Sequence, residues 1–288
     1  MRILVTGASG FIGRHLVSRL SDAHELFAVD RDPKRAAQSE TTLVLMDLAR
    51  TLKVSALPAE IDVIIHLAQA NVPFPEAANE LWAVNTSSTQ RLLEYARGAR
   101  ARQFVLASTG DVYGRRTGLC KETDTTAPVG YYGLTKAVAE MLVQTYSDYL
   151  RPCILRLFQP YGPGQSDRLI PKLADRIRQG RVVQLNKDDR PRMTPVYVDD
   201  VTRAVESAID SSYSGTVNIA GDRVVSVREL AEEIGRALGY EPFFEESGRE
   251  SADLMGDNNL MRQLLGDWSI VALDDGLSRT FKDEGAIG

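Results

Sequence analysis

Cysteine is nearly absent: Cys120 and Cys153 are the only two in 288 residues. Thiols so isolated offer no metal-ligand spacing and no disulfide framework. Both are read as reduced, Cys153 in a core strand and Cys120 in a loop, and no metal site is expected. No apolar run is long enough to span a bilayer, so no membrane contact is expected. A basic excess is missing too. The chain carries 34 Lys and Arg against 39 Asp and Glu, a net charge of −5. That balance argues against a broad nucleic-acid footprint and still allows a local basic pocket for a small phosphorylated ligand. Repeats, low-complexity segments and long linkers are also lacking. Met1 leads straight into an apolar run, so no signal peptide is expected; the chain reads as soluble and cytoplasmic. What is present is ordinary globular composition, 43% hydrophobic and 25% charged. The length suits a large α/β domain or a domain with an appended lobe.

The first distinctive stretch is Thr6-Gly7-Ala8-Ser9-Gly10-Phe11-Ile12-Gly13, between an apolar run at 3–5 and an amphipathic run at 11–20. That order is buried strand, glycine turn, helix. Glycines at these spacings permit a sharp turn, close approach of backbone to a pyrophosphate, and tight packing of helix on strand. The helix start offers free N–H groups and the positive end of its dipole. Asp30 closes the next apolar run, 25–30, where an acidic residue can accept hydrogen bonds from a ribose diol. The pair of signals points to a bound dinucleotide.

Further apolar runs at 42–46, 61–67, 103–108 and 152–157 are interleaved with helical patterns at 76–97 and 131–149. A polar stretch containing Pro33 follows Asp30. Strands alternating with helices predict an α/β fold, a Rossmann-type doubly wound parallel sheet with its ligand crevice at the carboxyl ends of the strands. After Pro160 the pattern changes. Residues 161–167 are rich in Gly and Pro, a helix is expected at 169–179, and short strand-like pieces at 182–185 and 194–198. A helix at 199–209 could be capped by Asp199 or Asp200, and a strand follows at 216–219. Ser226 and Glu229 form a capping-box pattern for a helix ending at Gly239. Short helical pieces are expected near 258–265 and 274–282. The expected division is a dinucleotide-binding domain, 1–160 with 194–222 contributing, and a smaller, interleaved C-terminal substrate lobe, 161–193 and 223–288.

Tyr132 and Lys136 stand four apart on one helix face. A phenol exchanges protons near neutral pH only with help from a nearby cation, and Lys136 would supply it. The preceding strand ends at Ser108-Thr109, so hydroxyls, phenol and glycine loop can converge on one crevice.

With these residues in hand, the chain resembles the extended short-chain dehydrogenase/reductases, the NAD-dependent nucleotide-sugar epimerase/dehydratase family, nearly end to end. The matching segments are the glycine loop, His66-Leu67-Ala68-Gln69, Val84-Asn85-Thr86, Ser108-Thr109-Gly110-Asp111-Val112-Tyr113-Gly114, the Tyr132/Lys136 pair, the stretch 155–165, Val196-Tyr197-Val198-Asp199-Asp200-Val201 and Asn218-Ile219-Ala220-Gly221. Gln69 departs from the family's His-Leu-Ala-Ala turn, and Gln159 stands where Asn is usual. The resemblance implies that Tyr132 is the acid/base, that Lys136 lowers its pKa and binds the nicotinamide ribose, and that Thr109 orients the substrate oxygen. It implies a cofactor path along Gly7, Gly10, Phe11, Ile12, Gly13, Asp30, Arg31, Asp47, Leu48, Leu67, Ala68 and Gln69. Asp30 favours NAD, whereas Arg31 could pair with the extra phosphate of NADP. Gln159, Arg192 and Arg249 fall near family substrate contacts, although Met193 is closer than Arg192 to the usual arginine register. A homodimer through the 76–97 and 131–149 helices is also implied.

The reaction is less closely specified. Family dehydratases carry two acidic residues after the Ser/Thr; here those places hold Gly110 and Asp111. The expected activity is C4 epimerisation of a nucleotide-diphosphate sugar through a transient 4-keto sugar. The alternatives are an NADPH-dependent 4-ketoreductase, a dehydratase using Asp111, an enzyme acting on flavonoid-type or steroid-type ketones, and a non-catalytic dinucleotide sensor. Asp111 itself could contact substrate or only brace its loop.

Overall fold

The computed structural model describes residues 1–32, 41–70, 72–266 and 268–282; the polar stretch around Pro33 lies outside them. No helix among the described residues is long and apolar enough to cross a membrane. The strands in chain order are β1 (Arg2–Thr6), β2 (Glu25–Asp30), β3 (Thr41–Leu45), β4 (Val63–His66), β5 (Gln103–Thr109), β6 (Arg151–Leu157), β7 (Pro160–Tyr161), β8 (Val183–Leu185), β9 (Val196–Tyr197), β10 (Gly215–Ile219) and β11 (Phe244–Glu246). The helices are α1 (Phe11–Leu20), α2 (Ala78–Trp82), α3 (Ser88–Gly98), α4 (Tyr131–Gln144), α5 (Leu169–Arg178), α6 (Val198–Asp210), α7 (Val227–Leu238), α8 (Asn259–Leu265) and α9 (Leu273–Lys282).

Two compact units form. The first comprises Met1–Gly114, Thr125–Arg156 and Thr202–Val217; the second comprises Arg115–Asp124, Leu157–Val201 and Asn218–Gly288. Against the expected boundaries, 115–124 goes with the second unit, and the 194–222 stretch is divided.

The first unit is built on a seven-stranded sheet of order β10-β6-β5-β4-β1-β2-β3. β1 pairs in parallel with β2 and β4, β2 with β3, and β4 with β5. The order reverses at β1, which creates the switch-point crevice beyond Thr6 and His66, partners in the β1–β4 register. All residues of β4 and β5 are buried, as a sheet covered by helices on both faces requires. One core cluster joins Leu4, Ile64 and Phe104 of the sheet to Leu92 and Leu93 of α3 and Val143 of α4. Each such side chain contributes about 1.5–3 kcal/mol.

The helix expected at 76–97 is interrupted. Residues Ala83–Ser87 form a π turn between α2 and α3, with Asn85 and Thr86 buried. Such turns recur at functional positions, and this one inserts Asn85 toward the loop after β4. The helix expected to reach 149 stops at Gln144, where the Thr145 hydroxyl donates to the Leu142 carbonyl at 2.7 Å. Cys153 is buried in β6, and burial pushes its thiol up to about 12.

In the second unit, α7 has the expected capping box, with Ser226 and Glu229 reciprocally bonded, and ends at Gly239 with φ of 76°. α6 begins at Val198, so Asp199 and Asp200 lie in its first turn rather than at its cap. Asp200 instead accepts hydrogen bonds from Trp268 Nε1 at 2.9 Å and the Val271 N–H at 3.0 Å.

Candidate active site

The site begins where β1 ends. Gly7 adopts φ of +67°, and a Cβ there would lie 2.8 Å from the Ala68 backbone. The Gly10 N–H donates to the Gly7 carbonyl at 3.0 Å, closing the turn. A Cβ on Gly13 would overlap the Gly7 carbonyl oxygen. The backbone is therefore packed so tightly at positions 7 and 13 that only glycine fits there, and α1 starts with Phe11, Ile12 and Gly13 in its first turn. Their N–H groups have no acceptor within the helix, and neither a capping side chain nor an acidic residue occupies that end. A cradle of this form suits a pyrophosphate.

Asp30 ties the same loop to the end of β2. Its Oδ2 accepts from the Ser9 N–H at 3.0 Å and the Ser9 hydroxyl at 2.6 Å, and its Oδ1 accepts from the Asp32 N–H at 3.1 Å. Arg31 is exposed and pairs with Glu80 at 3.6 Å. Asp47 accepts from the Ala49 N–H at 3.0 Å and pairs with Arg50 at 3.3 Å; Leu48 is buried beside it. Across the crevice, the Ala68 N–H donates to the Thr6 hydroxyl at 3.2 Å. This places Leu67, Ala68 and Gln69 opposite the glycine turn.

Thr109 ends β5 and caps a 3₁₀ turn, Gly110–Tyr113. Its hydroxyl donates to Asp111 Oδ2 at 2.9 Å, and the Asp111 N–H donates back to it at 3.2 Å. A Cβ on Gly133 would lie 2.8 Å from the Asp111 carbonyl oxygen, so the first turn of α4 sits directly on this turn. Tyr132 is thereby brought to the end of the sheet, where its Oη donates to Gln69 Oε1 at 2.6 Å. Lys136, one helical turn on, is 1% exposed. Burial brings its amine down to about 8, with Glu140 opposing that shift. His66 is buried beneath the site and bonds to Thr6 at 2.7 Å and Thr89 at 3.1 Å. Burial and then the Lys136 charge push its imidazole down to about 3, so it is neutral.

Three further residues support the site and carry no role in the sequence reading. Asn85 accepts from the Ala70 N–H at 2.8 Å and donates to the Ala70 carbonyl at 3.0 Å and the Thr135 hydroxyl at 3.1 Å. It fastens the loop after β4 to α4. Glu140 and Arg156 form a buried pair, with Arg156 Nη2 2.7 Å from Glu140 Oε2. Ser108 donates to Glu140, and Arg156 donates to the Tyr113 hydroxyl at 2.8 Å. Burial alone would lower the Arg156 guanidinium, but the Glu140 hydrogen bonds outweigh it and raise it. The available signal for Glu140 was its place four residues after Lys136, on the same face of α4.

Gln159, Arg192 and Arg249 belong to the second unit. Gln159 has φ of 45°, and its carbonyl accepts from the Val196 N–H at 3.3 Å. The side chains of Arg192 and Arg249 are exposed. The Arg192 backbone N–H donates to Asp253 at 2.9 Å, and the Arg249 carbonyl accepts from the Lys187 N–H at 2.8 Å. Met193, nearer the usual arginine register, is 1% exposed and packed in the interior.

A first strand ending on a glycine-rich cradle, with a tyrosine and a buried lysine one helical turn apart at the same end of the sheet, defines a class: dinucleotide-dependent α/β proteins of the Tyr-x-x-x-Lys type. Residues 3–220 match the NAD dependent epimerase/dehydratase family, and the chain belongs to that family. It is 29% identical to an uncharacterized UDP-glucose epimerase, YtcB, of Bacillus subtilis, over 96% of each chain. It is 32% identical to the low-salt glycan biosynthesis protein Agl12 of Haloferax volcanii, over 83% of each. Among solved structures it is similar to UDP-glucuronic acid 4-epimerase from Bacillus cereus in complex with UDP-glucuronic acid and NAD. That match has a TM-score of 0.88 and 26% identity, over 98% of each chain.

Proposed function

We propose that this chain is an NAD-dependent C4 epimerase of nucleotide-diphosphate sugars. The observation that carries the reading is the turn after β5, which holds one carboxylate, Asp111, with Gly110 in the place of a second acid. Removing a proton from carbon and expelling a hydroxyl calls on a pair of acids here; reversible oxidation at C4 needs only Tyr132. The epimerase names of the Bacillus relatives support the same choice.

The first unit is the dinucleotide-binding domain and the second the substrate lobe. Gly7, Gly10, Phe11, Ile12 and Gly13 hold the cofactor pyrophosphate through backbone N–H groups. Asp30 accepts the adenosine ribose diol, and Asp47 and Leu48 flank the adenine. Leu67, Ala68 and Gln69 line the path toward the nicotinamide. Arg31 is paired with Glu80 rather than held for a 2′-phosphate, which favours NAD over NADP. When bound, the nicotinamide accepts and returns a hydride at C4 of the sugar. Tyr132 takes the proton of the C4 hydroxyl as the alcohol becomes a ketone, and returns it to the C4 oxygen after the ketosugar has turned to present its other face. Lys136, close to a phenol on the same helix face, favours its deprotonated form by charge and bonds the nicotinamide ribose. Thr109 orients the sugar oxygen. Gln159, Arg192 and Arg249 serve the sugar and its diphosphate, for which arginine forks are suited. Exposed Trp82, Leu134 and Met141 on α2 and α4 form the apolar surface of a homodimer.

The test is incubation with UDP- and dTDP-hexoses and UDP-hexuronic acids in the presence of NAD, followed by NMR. A C4 epimer formed without net cofactor change is expected. Strict dependence on NADPH, or a 4-keto-6-deoxy product, would overturn the reading. Tyr132→Phe should lose about 10²–10⁴-fold in turnover while still binding NAD.

A further inference from the structure

The contact between Tyr132 and Gln69 joins the proposed acid/base to a side chain that stands where the family's turn usually has alanine. We infer that Gln69 is a positioning residue that holds the Tyr132 phenol oxygen in both of its protonation states, accepting from the phenol through Oε1 and donating to the phenolate through Nε2. The inference rests on the reading of Tyr132 as acid/base.

The geometry is built rather than incidental. Gln69 Oε1 accepts from Tyr132 Oη at 2.6 Å. The next residue, Ala70, is clamped at both its N–H and its carbonyl by Asn85, which is fully buried. Asn85 also donates to Thr135, whose hydroxyl in turn donates to the Tyr132 carbonyl at 2.7 Å. A chain of hydrogen bonds therefore fixes the backbone on each side of the Gln69–Tyr132 pair, and the π turn at Ala83–Ser87 is what inserts Asn85 into it.

An acid/base that returns its proton passes through phenol and phenolate in every turnover. An amide has one acceptor and one donor group, exchanged by rotation about its last torsion. Gln69 can therefore bond either form, whereas alanine could bond neither and a carboxylate only the neutral one. The charged and titratable groups on the elements that meet at this end of the sheet include Lys136 and Glu140 on α4; Asp111 on the turn after β5; His66 on β4; and Arg156 on β6, paired with Glu140. None of these is altered by changing Gln69.

The experiment compares wild type, Gln69→Glu, Gln69→Leu and Tyr132→Phe by two readouts. One is the pH profile of kcat and KM for epimerisation. The other is the ultraviolet phenolate titration of the NAD-bound protein, taken as a difference from Tyr132→Phe so that only this phenol is followed. Gln69→Glu should move both the titration and the acid limb of kcat/KM upward by about one pH unit, a loss of about tenfold on the acid side. Gln69→Leu should lower kcat about tenfold with KM unchanged. Coincident titrations and pH profiles for wild type and Gln69→Glu, with Tyr132→Phe inactive, would overturn this inference alone. Turnover surviving in Tyr132→Phe would overturn the acid/base reading and this inference with it.

Discussion

Replacing Lys136 by methionine should make the protein more stable and inactive at once. The lysine is 1% exposed, and burial lowers its amine from 10.5 to about 8 even with Glu140 pulling the other way. Holding the charged form in that place costs about 3 kcal/mol, because each tenfold change in a protonation equilibrium is worth about 1.4 kcal/mol. The sign follows from proton linkage. Below about 8 the amine is charged in both folded and unfolded chains, and the cost is fully present. Between about 8 and 10.5 the unfolded chain binds the extra proton, so wild-type stability rises with pH; above 10.5 the cost is gone. Methionine, of similar length and uncharged, removes the cost without leaving a large cavity. Thermal unfolding followed by circular dichroism should show Lys136→Met melting about 5 °C above wild type near neutral pH. That advantage should shrink to nothing as the pH approaches 10.5, the ordinary value of a lysine amine. Turnover should fall at least about 100-fold. A destabilised Lys136→Met protein at neutral pH, or a gain that does not change with pH, would refute the argument that the site stores the energy of a buried cation.

Gly13→Ala should cost about 1–3 kcal/mol by overpacking, because its Cβ would meet the Gly7 and Ala8 backbone rather than a movable side chain; calorimetric titration should also show weakened NAD binding. Glu140→Ala leaves Arg156 buried without its partner, and chemical denaturation should show a loss of about 3–5 kcal/mol. The double variant Glu140→Leu/Arg156→Leu should recover part of that loss, since it removes the unpaired guanidinium while Lys136 still loses the Glu140 charge.

Much of the first unit was legible because its signals are local. Glycine at 7, 10 and 13 reports backbone crowding that the structure shows directly, and the Ser226/Glu229 pattern reports a cap formed within four residues of chain. The π turn at Ala83–Ser87 was hidden because its apolar residues fit a continuous helix from 76 to 97; what bends the pattern is the tertiary pull of Ala70 and Thr135 on Asn85. Asp199 and Asp200 looked like caps because short acidic residues commonly are. The demand that Asp200 satisfies comes instead from Trp268, almost seventy residues on. Glu140 and Arg156 drew no role from the sequence because burial of an ion pair depends on two elements meeting, which periodicity does not encode. In the candidate site, Thr109, Tyr132 and Lys136 were legible from motif and order along the chain. The engagement of Asp111 with Thr109, and of Gln69 with Tyr132, required side-chain positions.

The most direct test of the epimerase account uses a UDP-sugar carrying deuterium at C4, incubated with the protein and NAD in ordinary water. The account predicts a C4 epimer that keeps the deuterium, because the hydrogen leaves and returns within one bound complex, with no solvent hydrogen entering any carbon. A product that has lost the label to solvent or to free cofactor, or that has taken up solvent hydrogen at C5 or C6, would contradict it.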